Sequence, residues 1–327
     1  MITRRNLLAM TGGAMLAGPK AAFAQAPYPS QAITMMVGYA AGGGVDIVGR
    51  FVADALKTAL GQPVIVDNRP GAAGMIAARA VAKAVPDGYT LLMAASGEVA
   101  VNQSLYKDQM TYDPLRELAP VALVGIVPCI VVMAADSPVN TPAQFVAYAR
   151  ANKGKLSFSH GGLGNPQHLA GELLNKMAGT DILQVPYRGS NPAVADVATG
   201  IVTMSFSSIG AALPYIKAGK VKAVAVTSLE RMPQLPDVLP LAEAGPELSG
   251  YEVLNWFGMF APAGTPDPIV EKLNAVVVAA LGNQELVDKL MVQGILPRPL
   301  SVAAFRGFVK SEAKKFGTIV ADANLKL

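Results

Sequence analysis

The chain alternates short apolar runs with stretches of helical periodicity. Ile33–Val37 is apolar enough for a buried strand, and after it apolar residues fall at 47/48, 51/52, 55/56 and 59/60. That spacing marks one face of a helix, with Arg50, Asp54, Lys57 and Thr58 opposite. Between strand and helix lie Gly42, Gly43 and Gly44, with Asp46 at the expected N-cap. Strand, glycine loop and helix together offer an anion site, because glycines let the backbone approach a ligand and the first amides of a helix are free. The bland alternative is a plain tight connection.

The pattern repeats. Strands are predicted at 63–67 and 90–95 around a helix over 72–85, which ends at Pro86-Asp-Gly88. A long apolar run spans 120–135, and a helix follows Asn140-Thr-Pro142 to about Asn152. Strand 156–159 then leads to a second glycine loop, His160-Gly-Gly-Leu-Gly-Asn-Pro166, and a helix over 168–178. Strand 182–187, a helix to Thr199, strand 202–207, loop Ser208-Ile-Gly210 and strand 221–227 close a second unit. Residues 232–250 are proline-rich and irregular, 251–261 read as a strand, and the chain from Pro266 is mostly helical. Strands alternating with helices over short loops argue for parallel α/β sheets, whose ligands gather at the carboxyl ends of strands. Crossings near 125–134 and 252–262 make a bilobal clamp with a two-strand hinge.

The N-terminus reads separately. Thr3-Arg4-Arg5 opens a short apolar run to Ala17, and Ala22-Phe23-Ala24 fits a cleavage site. This is a secretory signal peptide, with paired arginines that suit the twin-arginine route and also occur in Sec signals. The run is too short for a membrane span of ~20 residues. Removing 1–24 takes away Arg4, Arg5 and Lys20 and no acid, so the formal net charge of +4 falls to +1. A basic nucleic-acid surface is therefore not expected. The single cysteine, Cys129, lies in an apolar stretch and reads as a small buried hydrophobe. The expected divisions are the signal at 1–24, a first lobe at 25–125, a second at 126–258, and completion of the first at 259–327.

Catalytic patterns fail one by one. The glycine loop is not G-x-G-x-x-G, and neither Gly-Lys pair (154/155, 219/220) carries the Ser or Thr of a phosphate loop. The two histidines, His160 and His168, have no nearby cysteine or carboxylate cluster for a metal, and there is no G-x-S-x-G. No enzyme activity, metal or cofactor is expected. Polar groups on the loops are better suited to ligand contact, among them Ser96, His160, Asn165, Ser207 and Ser208.

Many ordered motifs then carry a resemblance over 27–327. Tyr28-Pro-Ser-Gln-Ala-Ile and Gly38-Tyr-Ala-Ala-Gly-Gly-Gly-Val-Asp46 come first, followed by Gly61-Gln-Pro-Val-Ile-Val-Asp-Asn-Arg-Pro-Gly71 and Pro86-Asp-Gly-Tyr-Thr90. His168-Leu-Ala-Gly-Glu172, Val185-Pro-Tyr-Arg-Gly-Ser190, Ala212-Leu-Pro-Tyr-Ile-Lys-Ala-Gly219 and Phe260-Ala-Pro-Ala-Gly-Thr-Pro266 follow. The chain resembles the solute receptors of tripartite tricarboxylate transporters, the Bug family. The resemblance implies a class II periplasmic binding protein, α/β in both lobes. It would be a monomer exported to the periplasm and not embedded in the membrane. It would deliver a small organic carboxylate to membrane subunits of the transporter. A sensory partner for a signalling protein, or an exported enzyme, are the rival readings.

The family traps its carboxylate between two loops, with bound waters helping. On that pattern the first loop supplies Tyr39, Gly43, Gly44, Val45 and Asp46, and the second runs from His160 through Gly161 to Asn165. Ser96, Tyr187, Ser207 and Ser208 take other cleft positions. The chain departs from the pattern at Val45, Gly161 and Asn165, each replacing a hydroxyl residue, and at Ser207-Ser208, where the family often has Asp-Asn. The departures suggest a different ligand, a carboxylate with a less polar body such as an aromatic or longer aliphatic acid.

Overall fold

The computed structural model describes residues 28–325. The signal-peptide reading lies outside that range. The first lobe is built on β1 (Ile33–Val37), α1 (Gly44–Leu60), β2 (Val64–Asn68), α2 (Met75–Ala82) and β3 (Thr90–Ala95). Two short helical turns follow, α3 (Asn102–Leu105) and α4 (Pro114–Glu117), and then β4 (Leu118–Pro128). The second lobe contains β5 (Ile130–Ala134), α5 (Pro142–Ala151), β6 (Leu156–His160), α6 (Pro166–Ala178) and β7 (Ile182–Pro186). It continues with α7 (Ser190–Ala198), β8 (Met204–Ser207), α8 (Ile209–Lys217) and β9 (Val221–Val226). The chain returns through β10 (Leu254–Pro262) to α9 (Asp267–Ala280), α10 (Gln284–Val292), β11 (Leu296–Pro297) and α11 (Val302–Asp322).

Two sheets form, six strands in the order β11-β4-β10-β3-β1-β2 and five in the order β7-β6-β8-β5-β9. Strands β1, β2 and β3 are parallel, as are β6, β7 and β8. The crossing strands differ from the all-parallel expectation: β10 runs antiparallel to β3 and β4, and β5 antiparallel to β8 and β9. The reason is direction of travel. A strand leaving the hinge must run opposite to those that end at it. The carboxyl ends of β1, β3, β6 and β8 thus all point toward the junction of the lobes.

The apolar run at 120–135 is not one element but two strands in different sheets, with the change at Cys129. The return comes at Val253, so divisions drawn at 126 and 258 fall inside β4 and β10. Thr227 fastens both crossings. Its N–H donates to the Cys129 carbonyl (2.9 Å) and its carbonyl accepts from Val253 (3.0 Å). Its hydroxyl accepts from the Cys129 N–H (2.8 Å) and donates to the Val253 carbonyl (2.6 Å). Burial pushes the Cys129 thiol up to about 12, which suits a structural residue.

One apolar core covers a face of each sheet and runs through the junction, joining Phe158 and Phe206 of the second lobe with Trp256, Phe260, Phe305 and Phe316 of the first. The opposite faces are closed by α1 and α9 in the first lobe and by α7 and α8 in the second. Among the described residues no helix is long and apolar enough to cross a membrane, and no group of three His, Cys, Asp or Glu could hold a metal ion.

Candidate functional site

Helix α1 forms where the sequence places it, but its start differs in detail. Gly43 is the N-cap, with extended backbone, and Asp46 sits in the first turn. Asp46 is buried and reaches back to accept from the Gly42 N–H (2.8 Å). Arg50 (2.9 Å) and the Asn68 amide (2.9 Å) also donate to it. Burial would raise its carboxyl, but these hydrogen bonds and the Arg50 charge bring it down to about 2. Asp46 is thus a brace for the loop and not its N-cap. The Gly43 N–H is also spent, on the Ala40 carbonyl at 3.3 Å. Among the described residues, the amides of Gly44, Val45 and Asp46, the first three of the helix, have no acceptor.

The first two of these residues, Gly44 and Val45, line a cleft of about 400 Å³ between the lobes. Its walls include Tyr39, Gly44, Val45 and Ala73 on one side, Ser96, Gly97, Asn102 and Tyr106 beyond them, and Asn255 and Phe257 from β10. The second lobe contributes Leu163, Gly164, Asn165 and Pro166. No Asp, Glu, His, Lys or Arg side chain lines it among the described residues. A larger groove of about 750 Å³ lies between α1, α9 and α10, away from the strand ends, and is chiefly apolar. The interlobe cleft has the better claim, because free helix amides converge there.

Of the residues singled out in the sequence, Tyr39, Gly44, Val45, Ser96 and Asn165 come together in this cleft. Tyr39 donates to buried Glu98 (2.7 Å), and burial and that carboxylate together hold its phenol well above the usual range. Ser96 donates to Asn255 (2.8 Å). The others are not among the residues that line the cleft. His160 is buried, bonded to the Gly162 carbonyl and to Gln184 (2.8 Å each) and stacked on His168 with ring centroids 4.5 Å apart. Burial pulls its imidazole below the usual value. The Gly161 N–H donates to Gln167 (2.7 Å), Tyr187 to Asp196, and buried Ser207 to the Ser208 carbonyl (3.3 Å). Ser208 does not open a loop; it precedes α8, whose Pro214 and small residues hid the helical period.

The second loop spends several of its donors on its own elements. The Gly161 and Gly164 amides go to Gln167 and to His168 (3.0 Å), and the His168 N–H goes to the Asn165 side chain (2.9 Å). What it presents to the cleft is chiefly Leu163 and the remaining NH2 of Asn165. Gly164 closes on the first lobe: with φ +73° it takes a conformation that favours glycine, and a Cβ there would meet Leu105 Cδ2 at 2.0 Å. Asn255, Phe257, Asn102 and Tyr106 were not singled out from the sequence. The one usable signal was a polar residue on an otherwise apolar strand, two positions before Phe257 and so on the same face.

Comparisons with known proteins fit this geometry. The profile described as "Tripartite tricarboxylate transporter family receptor" matches residues 48–325. Protein BugT of Bordetella pertussis is 35% identical over 302 residues, 92% of this chain and 91% of BugT. An R. palustris protein solved with adipate superposes with a TM-score of 0.76 at 35% identity, covering 92% of this chain and 100% of that one. MatC of Rhodopseudomonas palustris, solved with bound malate, gives 0.71 at 34%, covering 90% and 100%. The chain belongs to the tripartite tricarboxylate transporter receptor family, which includes the Bug proteins and consists of solute-binding receptors rather than enzymes.

Proposed function

We propose that this receptor works in the periplasm, captures a small organic carboxylate in the interlobe cleft, and delivers it to the membrane subunits of a tripartite transporter. The observation that carries the reading is the free N-terminus of a 17-residue helix, whose first residues Gly44 and Val45 line a cleft with no charged side chain among the described residues. Amides and the positive end of a helix favour a carboxylate. An ammonium group has no carboxylate to meet there, so amino acids are disfavoured. Val45, Ala73, Tyr106, Leu163 and Phe257 supply an apolar wall, which suits a ligand with an uncharged, largely hydrocarbon body. The adipate and malate of the two R. palustris neighbours support the carboxylate class.

Thermal unfolding of residues 25–327 against mono-, di- and tricarboxylates, aromatic acids, amino acids and neutral controls tests the proposal. A ligand at 100 times its Kd adds ~2.7 kcal/mol, enough to raise the midpoint by several degrees. A carboxylate should do so and α-amino acids should not. Shifts with neutral compounds alone would sink the anion site.

A further inference from the structure

Resting on that reading, we propose that Asn255 is a ligand-contacting, specificity-determining residue: its side-chain NH2, on the hinge strand, donates to an acceptor on the bound acid. Asn255 is the second residue of β10, two residues after the crossing at Val253, and shares a strand face with Phe257; both line the cleft. Trp256, on the opposite face, is buried in the core.

The amide can point only one way. Its Oδ1 accepts from the Trp256 backbone N–H at 3.0 Å, and a backbone N–H can only donate, so oxygen must face it. The Ser96 hydroxyl donates to the same oxygen at 2.8 Å. Both lone pairs are engaged, and the NH2 remains without an acceptor among the described residues. The second lobe repeats the device. Asn165 Oδ1 caps α6 by accepting from the His168 N–H, which leaves its NH2 free in the same cleft.

Three donor groups from three parts of the fold therefore share one cleft: the α1 amides from the first lobe, Asn165 from the second, and Asn255 from the strand that joins them. An acid held at α1 would meet Asn255 with its other acceptors, a second carboxylate oxygen, a carbonyl or a hydroxyl. Neutral donors tolerate any of these, whereas an arginine would demand an anion. Because Asn255 adjoins the crossing, its contact forms beside the hinge, where lobe closure is set.

Asn255→Asp is the discriminating variant. A carboxylate still accepts from Trp256 and Ser96, so the local structure keeps its bonds; only the NH2 is lost and a negative charge gained. Asn255→Ala removes the donor without adding charge. The probe is adipate, or malate or another panel acid if that shifts the wild-type midpoint more, with affinity measured by calorimetry. Both variants should bind about tenfold to a hundredfold more weakly, the range for a lost hydrogen bond to a charged group. The unliganded midpoint of Asn255→Asp should stay near that of the wild type. Wild-type affinity in either variant would overturn the proposal; weakening in Asn255→Asp alone would mean charge acting through space, without contact. Failure of every acid to bind the wild type would remove the parent reading as well, and would be visible before any variant is made.

Discussion

Glu98 is fully buried behind the cleft wall. Its Oε1 accepts from the Ala95 N–H at 3.0 Å and its Oε2 from the Tyr39 hydroxyl at 2.7 Å. No ion pair to it is formed among the described residues. Burial raises its carboxyl from 4.5 to about 7, against the pull of these hydrogen bonds. Unfolded, it releases its proton near 4.5; folded, it keeps it to about pH 7. Between those values the native state binds more protons, so stability falls as pH rises and levels off above about 7. At 1.36 kcal/mol per pH unit, the separation amounts to about 3 kcal/mol. Glu98→Gln removes the titration and keeps an oxygen for Ala95 and an NH2 that can face the Tyr39 oxygen. With an unfolding entropy of ~2.1 cal/mol/K per residue over about 300 residues, 3 kcal/mol corresponds to roughly 5 °C. The unfolding midpoint of Glu98→Gln minus that of wild type should be near zero at pH 5 and about 5 °C at pH 8. A difference that does not change with pH would refute the assignment of a protonated Glu98.

Two further substitutions probe the site and the hinge. Gly44→Val should weaken binding of the panel acid at least tenfold while leaving the fold intact, because Gly44 has no left-handed φ and only the ring of Phe257 lies near its Cβ position, at 3.4 Å. Equal affinity, measured by calorimetry, would remove the α1 amides from the account. Thr227→Val keeps the shape but loses the hydroxyl bonds to Cys129 and Val253, both buried, at a cost of about 1–3 kcal/mol. Urea unfolding reads this, and no loss would show that the hydroxyl does not fasten the crossings.

How far the sequence spoke depended on how local each signal was. The turn from β1 to α1 was legible because a short apolar run gives way to period 3.6 across three glycines, all within thirty residues. The segment after β3 was not. Ser96-Gly-Glu reads as a loop, yet Gly97–Val101 is a π-helical turn whose Glu98 is buried under Tyr39. Asp46 looked like a cap because of its type and position, but the Gly42 amide that binds it is visible only once the loop is folded. In the second glycine loop Gln167 and His168, folding back on it, take the Gly161 and Gly164 amides, which only the folded loop reveals. Asn255 was out of reach for the same reason, since its partner Ser96 lies 159 residues away.

The central claim is that an acid sits on the first amides of α1. Backbone and side-chain amide resonances of a nitrogen-15-labelled chain, followed while the strongest panel acid is titrated in, test it most directly. The account predicts that the Gly44, Val45 and Asp46 amides and the side-chain NH2 of Asn255 shift together along one binding curve. Shifts confined to the groove around Phe51, Val276 and Leu286, with those amides unmoved, would contradict it.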